Sequence, residues 1–210
     1  MILCDECKGS GSIPSATPFG YPSECVRCRG VGRLSFRDLR YGDHVCLLFK
    51  DPAAQLCDAL HFLVEGLHHG ERLLYAWDEH TPDEIRIKLI EMGIDVTREM
   101  ERGALEIVRA RDVYVRGGEF EPRKVLDFYK GYLDATMRAG FTGLRAAGEM
   151  SWVFGSSEWL AKVGEYEALC DEYIKRAKPR AIGLCQYNRA RFSPEIIQKI
   201  LQTHGAAVLS

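Results

Sequence analysis

The sequence predicts an α/β protein: a mainly parallel sheet in three layers, with helices on both faces, and a small separate unit at the N-terminus. Three observations carry that expectation. From about Asp43 onward, short apolar runs alternate with amphipathic stretches of helical period. The runs are apolar at odd and even positions alike, as strands are when both sides of their sheet are covered. The eight cysteines divide into two close pairs, Cys4/Cys7 and Cys25/Cys28, and four scattered single residues, Cys46, Cys57, Cys170 and Cys185.

Composition sets the frame. At 210 residues, 46% hydrophobic and 28% charged, the chain is long enough for one domain of ordinary size with an appendage, divided here as 1–41 and 42–210. No apolar run reaches the length of a membrane span, and Met1 leads into Cys4-Asp5-Glu6-Cys7 without a basic start and an apolar stretch. The expected location is therefore the cytoplasm, and no membrane partner is expected. A net charge of −2 excludes a chain devoted wholly to nucleic acid, although residues 27–40 carry five arginines against one aspartate.

The N-terminal pairs read C-x2-C-x17-C-x2-C, within the range for a four-thiolate zinc site. Each pair on a tight turn presents two thiolates to one face of an ion, and two turns complete a tetrahedron. Glycines follow both pairs, in CDECKGSG and CVRCRGVG, and let the chain fold back with its amides near the sulfurs. The link between them, SIPSATPFGYPSE, offers almost no core, so the unit needs a staple such as one structural zinc per chain. A disulfide pair is the competing reading, disfavoured in a reducing compartment. The repeated CxxCxGxG resembles the cysteine-rich segment of DnaJ-type chaperones, with two repeats where that family has four. No His-Pro-Asp J-domain signature accompanies it, so the resemblance implies a docking module for protein or nucleic acid and no activity.

The elements of the larger part follow in order. HVCLLF, 44–49, lies between Gly42-Asp43 and Asp51-Pro52 and reads as a buried strand. Leu56, Leu60, Leu63 and Leu67 recur at helical spacing up to Gly70. RLLYAW, 72–77, is a second strand; Thr81-Pro82-Asp83-Glu84 is a capping box that starts a helix ending near Met92. A strand near 105–110, a helix from Pro122 to about Ala139, and a strand at 144–150 come next. Helices at 157–176 and 194–203 flank a fifth strand, 181–187, and AAVL forms a short last one. This βα alternation implies right-handed crossovers.

In such sheets ligands bind in the crevice beyond the carboxyl ends of the strands. Glu149 and Trp152 fall at one such end, Cys185 and Tyr187 on the next strand and Trp77 on the second. His44 and Cys46, two apart, share a face of the first strand. The expectation is one hollow, in which Trp77, Trp152 and Tyr187 wall an apolar cavity while Glu149 and His44 orient a polar group. A second metal held by His, thiolate and carboxylate groups is the less favoured reading, since no spacing motif supports it. Trp152 as a core residue, and the single cysteines as small hydrophobes, are the plain alternatives.

GDHVCLLF, DEHTPDEIRIKLIEMGIDV, GLRAAGEMSW, EYE at 165–167 and LCQYNRARFSPE together resemble the MEDS family, a methanogen and methylotroph sensory domain also found in DcmR-type regulators. The resemblance covers about 42–210. It implies a domain that senses small hydrocarbon derivatives in prokaryotic signalling, usually joined to a histidine kinase or DNA-binding domain. The same part is similar to the RecA-like fold of KaiC-type ATPases. After the first strand, however, FKDPAAQLCDA lacks the Gly-rich, Lys-bearing loop that cradles phosphates. No nucleophile elbow is present, and His68-His69 read as a helix end. The expected function is a non-catalytic sensor of a one-carbon or hydrocarbon-derived ligand. A ribbon-based adaptor for nucleic acid or protein is the alternative, and a Cys185/Glu149 enzyme a minor one. A protein partner in signalling and self-association with a second copy stay open.

Overall fold

The computed structural model describes residues 2–15 and 20–210; Met1 and residues 16–19, within the Pro- and Ser-rich link, lie outside it. The N-terminal unit contributes four two-residue strands: β1 (Ile2–Leu3), β2 (Ser12–Ile13), β3 (Ser23–Glu24) and β4 (Arg33–Leu34). The larger part runs β5 (His44–Phe49), α1 (Pro52–His68), β6 (Arg72–Trp77), α2 (Pro82–Glu91), α3 (Val96–Glu101), β7 (Leu105–Arg109) and α4 (Ala110–Tyr114). It continues with α5 (Pro122–Arg138), β8 (Leu144–Glu149), α6 (Ser157–Ala177), β9 (Ala181–Asn188), α7 (Pro194–Thr203) and β10 (Ala206–Leu209).

Local chemistry explains where the helices begin. Asp51 accepts from the Ala53 amide with Pro52 in the first turn, and Thr81 and Glu84 close the reciprocal capping box. Ser193 caps α7 ahead of Pro194.

The main sheet has the order β4-β1-β10-β5-β9-β8-β6-β7 among the described residues. From β10 to β7 all pairings are parallel. Connections that step toward β7 put α1, α2 and α3 on one face; those that step back put α5, α6 and α7 on the other, as right-handed crossovers require. The first face packs Leu60, Leu63, Ile85 and Leu89 on Val45, Leu47, Leu184 and Ala147. The second packs Trp152, Tyr166 and Ile200 on Cys46, Leu48 and Tyr187. On the first face Arg145 is fully buried, its Nε donating to Glu71 at 2.6 Å and its Nη1 to the Phe62 carbonyl at 3.0 Å. A charge in that core persists because each end of the guanidinium meets an acceptor.

The N-terminal unit is not free of the larger part. β1 pairs antiparallel with β10 through Ile2 and Val208, so it extends the same sheet. Arg27 joins Asp5 of its own unit to Asp43 of the larger part, at 3.0 and 2.7 Å.

Candidate functional site

The four N-terminal cysteines converge. Their sulfurs lie within 4.8 Å of one another, with Cys4 and Cys25 at 3.7 Å and Cys7 and Cys28 at 3.6 Å. A tetrahedron of thiolates with bonds of about 2.3 Å has edges of about 3.8 Å, so the spacing fits an ion. The amides of Gly11 and Gly32 each donate to a sulfur, Cys7 and Cys28 respectively, at 3.2 Å. Both glycines adopt positive φ, and a Cβ at either would strike a backbone carbonyl of the other repeat, which explains the last glycine of CxxCxGxG. Burial pushes the Cys4 thiol up to about 12. At Cys7 burial acts the same way, but the Gly11 amide and neighbouring thiols outweigh it and bring it down to about 7. As a set the four thiols could hold a metal ion.

The single hollow expected at the strand ends is divided by the sheet. Glu149 stands opposite Gln186, and Gly148 opposite Cys185. Side chains alternate faces along a strand, so Glu149 lies on the α1 face and Cys185 on the α6 face. Parity within one strand is readable from sequence; cross-strand register is not.

On the α1 face the Glu149 carboxylate is saturated by protein. Its Oε2 accepts from the amides of Asp78, Glu79 and His80 at 2.7, 2.5 and 3.3 Å, and its Oε1 from the Tyr75 hydroxyl at 2.8 Å. Burial raises its pKa, against the lowering by the Asp78 and Glu79 amides. Gln55, in the first turns of α1, donates to Tyr75 and to Gln186 and accepts from His80. This network fills the crevice where the connections after β6 and β8 diverge to opposite faces, and Glu149 acts there as a clasp for residues 78–80. Trp77, half-buried, packs on the same side.

Trp152 is a core residue on the other face. It stacks on Tyr114 at 4.8 Å and meets Phe120 edge-on at 4.7 Å, and it is fully buried. Cys46 shares that core. His44 and Cys46 do lie on one face, as their spacing predicts. Tyr187 is buried, with its hydroxyl donating to Glu167.

What the structure does assemble on the α6 face is a second group of ligating side chains: His44, Glu167, Cys185 and His204, all buried and mutually within 4.8 Å. Two of the four, Glu167 and His204, are not among the candidates singled out from the sequence: Glu167 enters only within the EYE motif of the resemblance, and no short spacing links either to the others.

Beside this group lies a cavity of about 90 Å³ between α5, α6 and the sheet. Tyr129, Leu133, Ala146 and Tyr166 line it, together with His44 and Cys185. It has room for roughly half a dozen non-hydrogen atoms. Gly148 opens this face: a side chain there would collide with the Tyr114 hydroxyl, which bonds to Tyr129 at 3.0 Å.

Comparison with known proteins agrees with this architecture. A crystal structure of a KaiC-like protein from Pyrococcus horikoshii OT3 superposes with a TM-score of 0.57 at 15% identity, over 81% of this chain and 72% of that one. The α/β fold with a RecA-type sheet follows. The transcriptional repressor DcmR of Methylorubrum extorquens is 28% identical over 169 residues, 80% of this chain. The chain spans 60% of that relative's length. No helix among the described residues is long and apolar enough to cross a membrane. Residues 43–205 match the methanogen/methylotroph, DcmR sensory domain, and the chain belongs to this MEDS family.

Proposed function

We propose that the chain is a non-catalytic regulatory sensor whose ligand is a one-carbon or short hydrocarbon derivative, taken into the cavity between α5, α6 and the sheet. The observation that carries this reading is the cavity itself: mostly apolar walls, a small volume, and polar groups of His44 and Cys185 in the lining beside tyrosines. Glu149, Trp77 and Trp152 take no part in it, being committed to the clasp and the cores. Zinc in the N-terminal ribbon has a structural role, since four thiolates leave no open position. The ribbon is the smaller unit and residues 42–210 the sensory one, joined edge to edge by β1 and β10.

The non-catalytic reading is supported by the geometry at Cys185. In a nucleophile–base–carboxylate relay the two ring nitrogens serve different partners. Here Cys185 and Glu167 both face the same atom, His44 Nε2, at 3.4 and 3.3 Å. Burial and the Glu167 charge hold the Cys185 thiol well above its ordinary value, so it is no ready nucleophile.

Nucleic-acid binding through the ribbon has less support. Of the five arginines at 27–40, Arg27, Arg37 and Arg40 are paired with acids. As a regulator the chain would act through a protein or nucleic-acid partner in the cytoplasm, alone or as a homodimer.

Thermal unfolding against a panel of short alcohols, thiols and haloalkanes tests the cavity. A true ligand at about 100 times its Kd adds about 2.7 kcal/mol. Ala146→Leu, which fills the cavity, abolishes that gain while the unliganded protein still melts cooperatively. A variant that responds like wild type, or a wild type indifferent to the whole panel, overturns the assignment.

A further inference from the structure

We propose that His44, Glu167, Cys185 and His204 form a second metal site, distinct from the cysteine cluster and suited to a late first-row divalent ion such as Zn²⁺. The proposal does not depend on the cavity taking a ligand.

Geometry comes first. His44 Nε2 lies 3.3 Å from Glu167 Oε2, and His204 Nε2 lies 3.4 Å from the same oxygen. Cys185 Sγ is 3.4 Å from His44 Nε2 and 3.8 Å from Glu167 Oε2. Tetrahedral coordination with bonds of about 2.0 Å to nitrogen or oxygen and about 2.3 Å to sulfur gives edges of about 3.3 to 3.5 Å. The four groups come from β5, α6, β9 and the residue after α7, so the whole fold is needed to bring them together.

The hydrogen bonds around the group fix its polarity. His204 Nδ1 donates to the Ile200 carbonyl at 2.7 Å, leaving the Nε2 lone pair directed at Glu167. That Nε2 is fully buried and has no hydrogen-bond partner. Tyr187 donates to Glu167 Oε1, which leaves Oε2 to face both imidazoles and the sulfur. Orientation of ligands by a backbone carbonyl and a hydroxyl is the usual support of a metal site.

A proton is the alternative occupant, and it fits less well. One proton can sit between Oε2 and one imidazole, yet two imidazoles point at that oxygen. Protonating both would put two cations in rings stacked 3.9 Å apart, away from water. A dication engages both lone pairs, the carboxylate and the sulfur at once. With one carboxylate and one thiolate it also leaves the buried group without net charge, which removes most of the cost of enclosing it. Binding displaces the thiol proton of Cys185 to solvent, and the mixed imidazole, thiolate and carboxylate set favours zinc, cobalt or nickel over magnesium or calcium.

The test is metal stoichiometry on the full chain loaded with Zn²⁺, by native mass spectrometry, with X-ray absorption to identify the ligands. The expected result is two ions per chain and a first shell mixing sulfur with nitrogen and oxygen. His204→Ala and Glu167→Gln should each retain one ion in a shell of sulfur alone. One ion per folded wild-type chain in a shell of sulfur alone, or two ions with only sulfur neighbours, overturns the proposal whatever the variants do. If a variant unfolds, that wild-type result still decides. Failure of the cavity to respond to small molecules leaves this measurement untouched.

Discussion

The protein builds two buried clusters of ligating side chains by opposite means. In the ribbon, four cysteines lie on two short repeats, and backbone amides of Gly11 and Gly32 finish each turn. Local sequence writes that cluster almost completely. On the α6 face, His44, Glu167, Cys185 and His204 come from four elements, and the Ile200 carbonyl, the Tyr187 hydroxyl and tertiary packing orient them. The first cluster sits in a unit with little core of its own, where the proposed ion would be the staple; the second is held in place by a core that exists already. Dependence on a bound ion should accordingly be large in the ribbon and small in the body.

Metal removal probes that contrast most strongly. Removing metal with a chelator takes from the ribbon a binding free energy on the order of 10 kcal/mol. Hydrogen exchange should then show residues 2–40 losing protection while β5 to β9 keep theirs; equal loss in both would erase the distinction.

A smaller effect is expected from Tyr187→Phe. The hydroxyl that orients Glu167 is removed, costing about 1–3 kcal/mol in the unfolding free energy. Affinity for an ion in the body falls about 10- to 100-fold, with the ribbon unaffected. Metal competition against a chromogenic chelator separates the two, and an unchanged affinity would mean that Tyr187 only packs.

The smallest effect concerns Glu149, on the opposite face from both cavity and cluster. Its folded pKa is raised, chiefly by burial, so its contribution is most favourable below the ordinary carboxyl value and is lost as pH rises through the folded value. Glu149→Gln should flatten the decline in stability above about pH 4.5, read from denaturant midpoints, and leave metal content and ligand response alone. A lost ligand response would return Glu149 to the site.

Much of the architecture was legible because it rests on local signals. Val45 and Leu47 beside Cys46 and Leu48 announce a strand covered on both faces, and Thr81 with Glu84 announces a helix start. Gly11 and Gly32 marked the ribbon turns. The candidate site was legible only in part, for an equally physical reason. His44 and Cys185 are candidates from the sequence and lie in the second group, but the neighbours of a strand residue depend on register: a slip of one residue between β8 and β9 would have put Glu149 beside Cys185. Trp152, expected to wall the hollow with core packing as its alternative, fills the space among Tyr114, Phe120 and Trp159. Glu167 on a long helix and His204 in a short loop have no local mark of their role. The pairing of Ile2 with Val208 is likewise invisible without coordinates, since two-residue strands carry no period.

That pairing has a mechanical meaning. The Gly205 amide binds the carbonyl of His44 at 3.1 Å, β10 lies next to β5, and β1 lies next to β10. A rearrangement at the floor of the cavity therefore needs to cross only one intervening strand to tug on the cysteine-bearing unit. Sensor and appendage are woven into one fabric, with the tether running sideways through peptide groups instead of along a flexible linker.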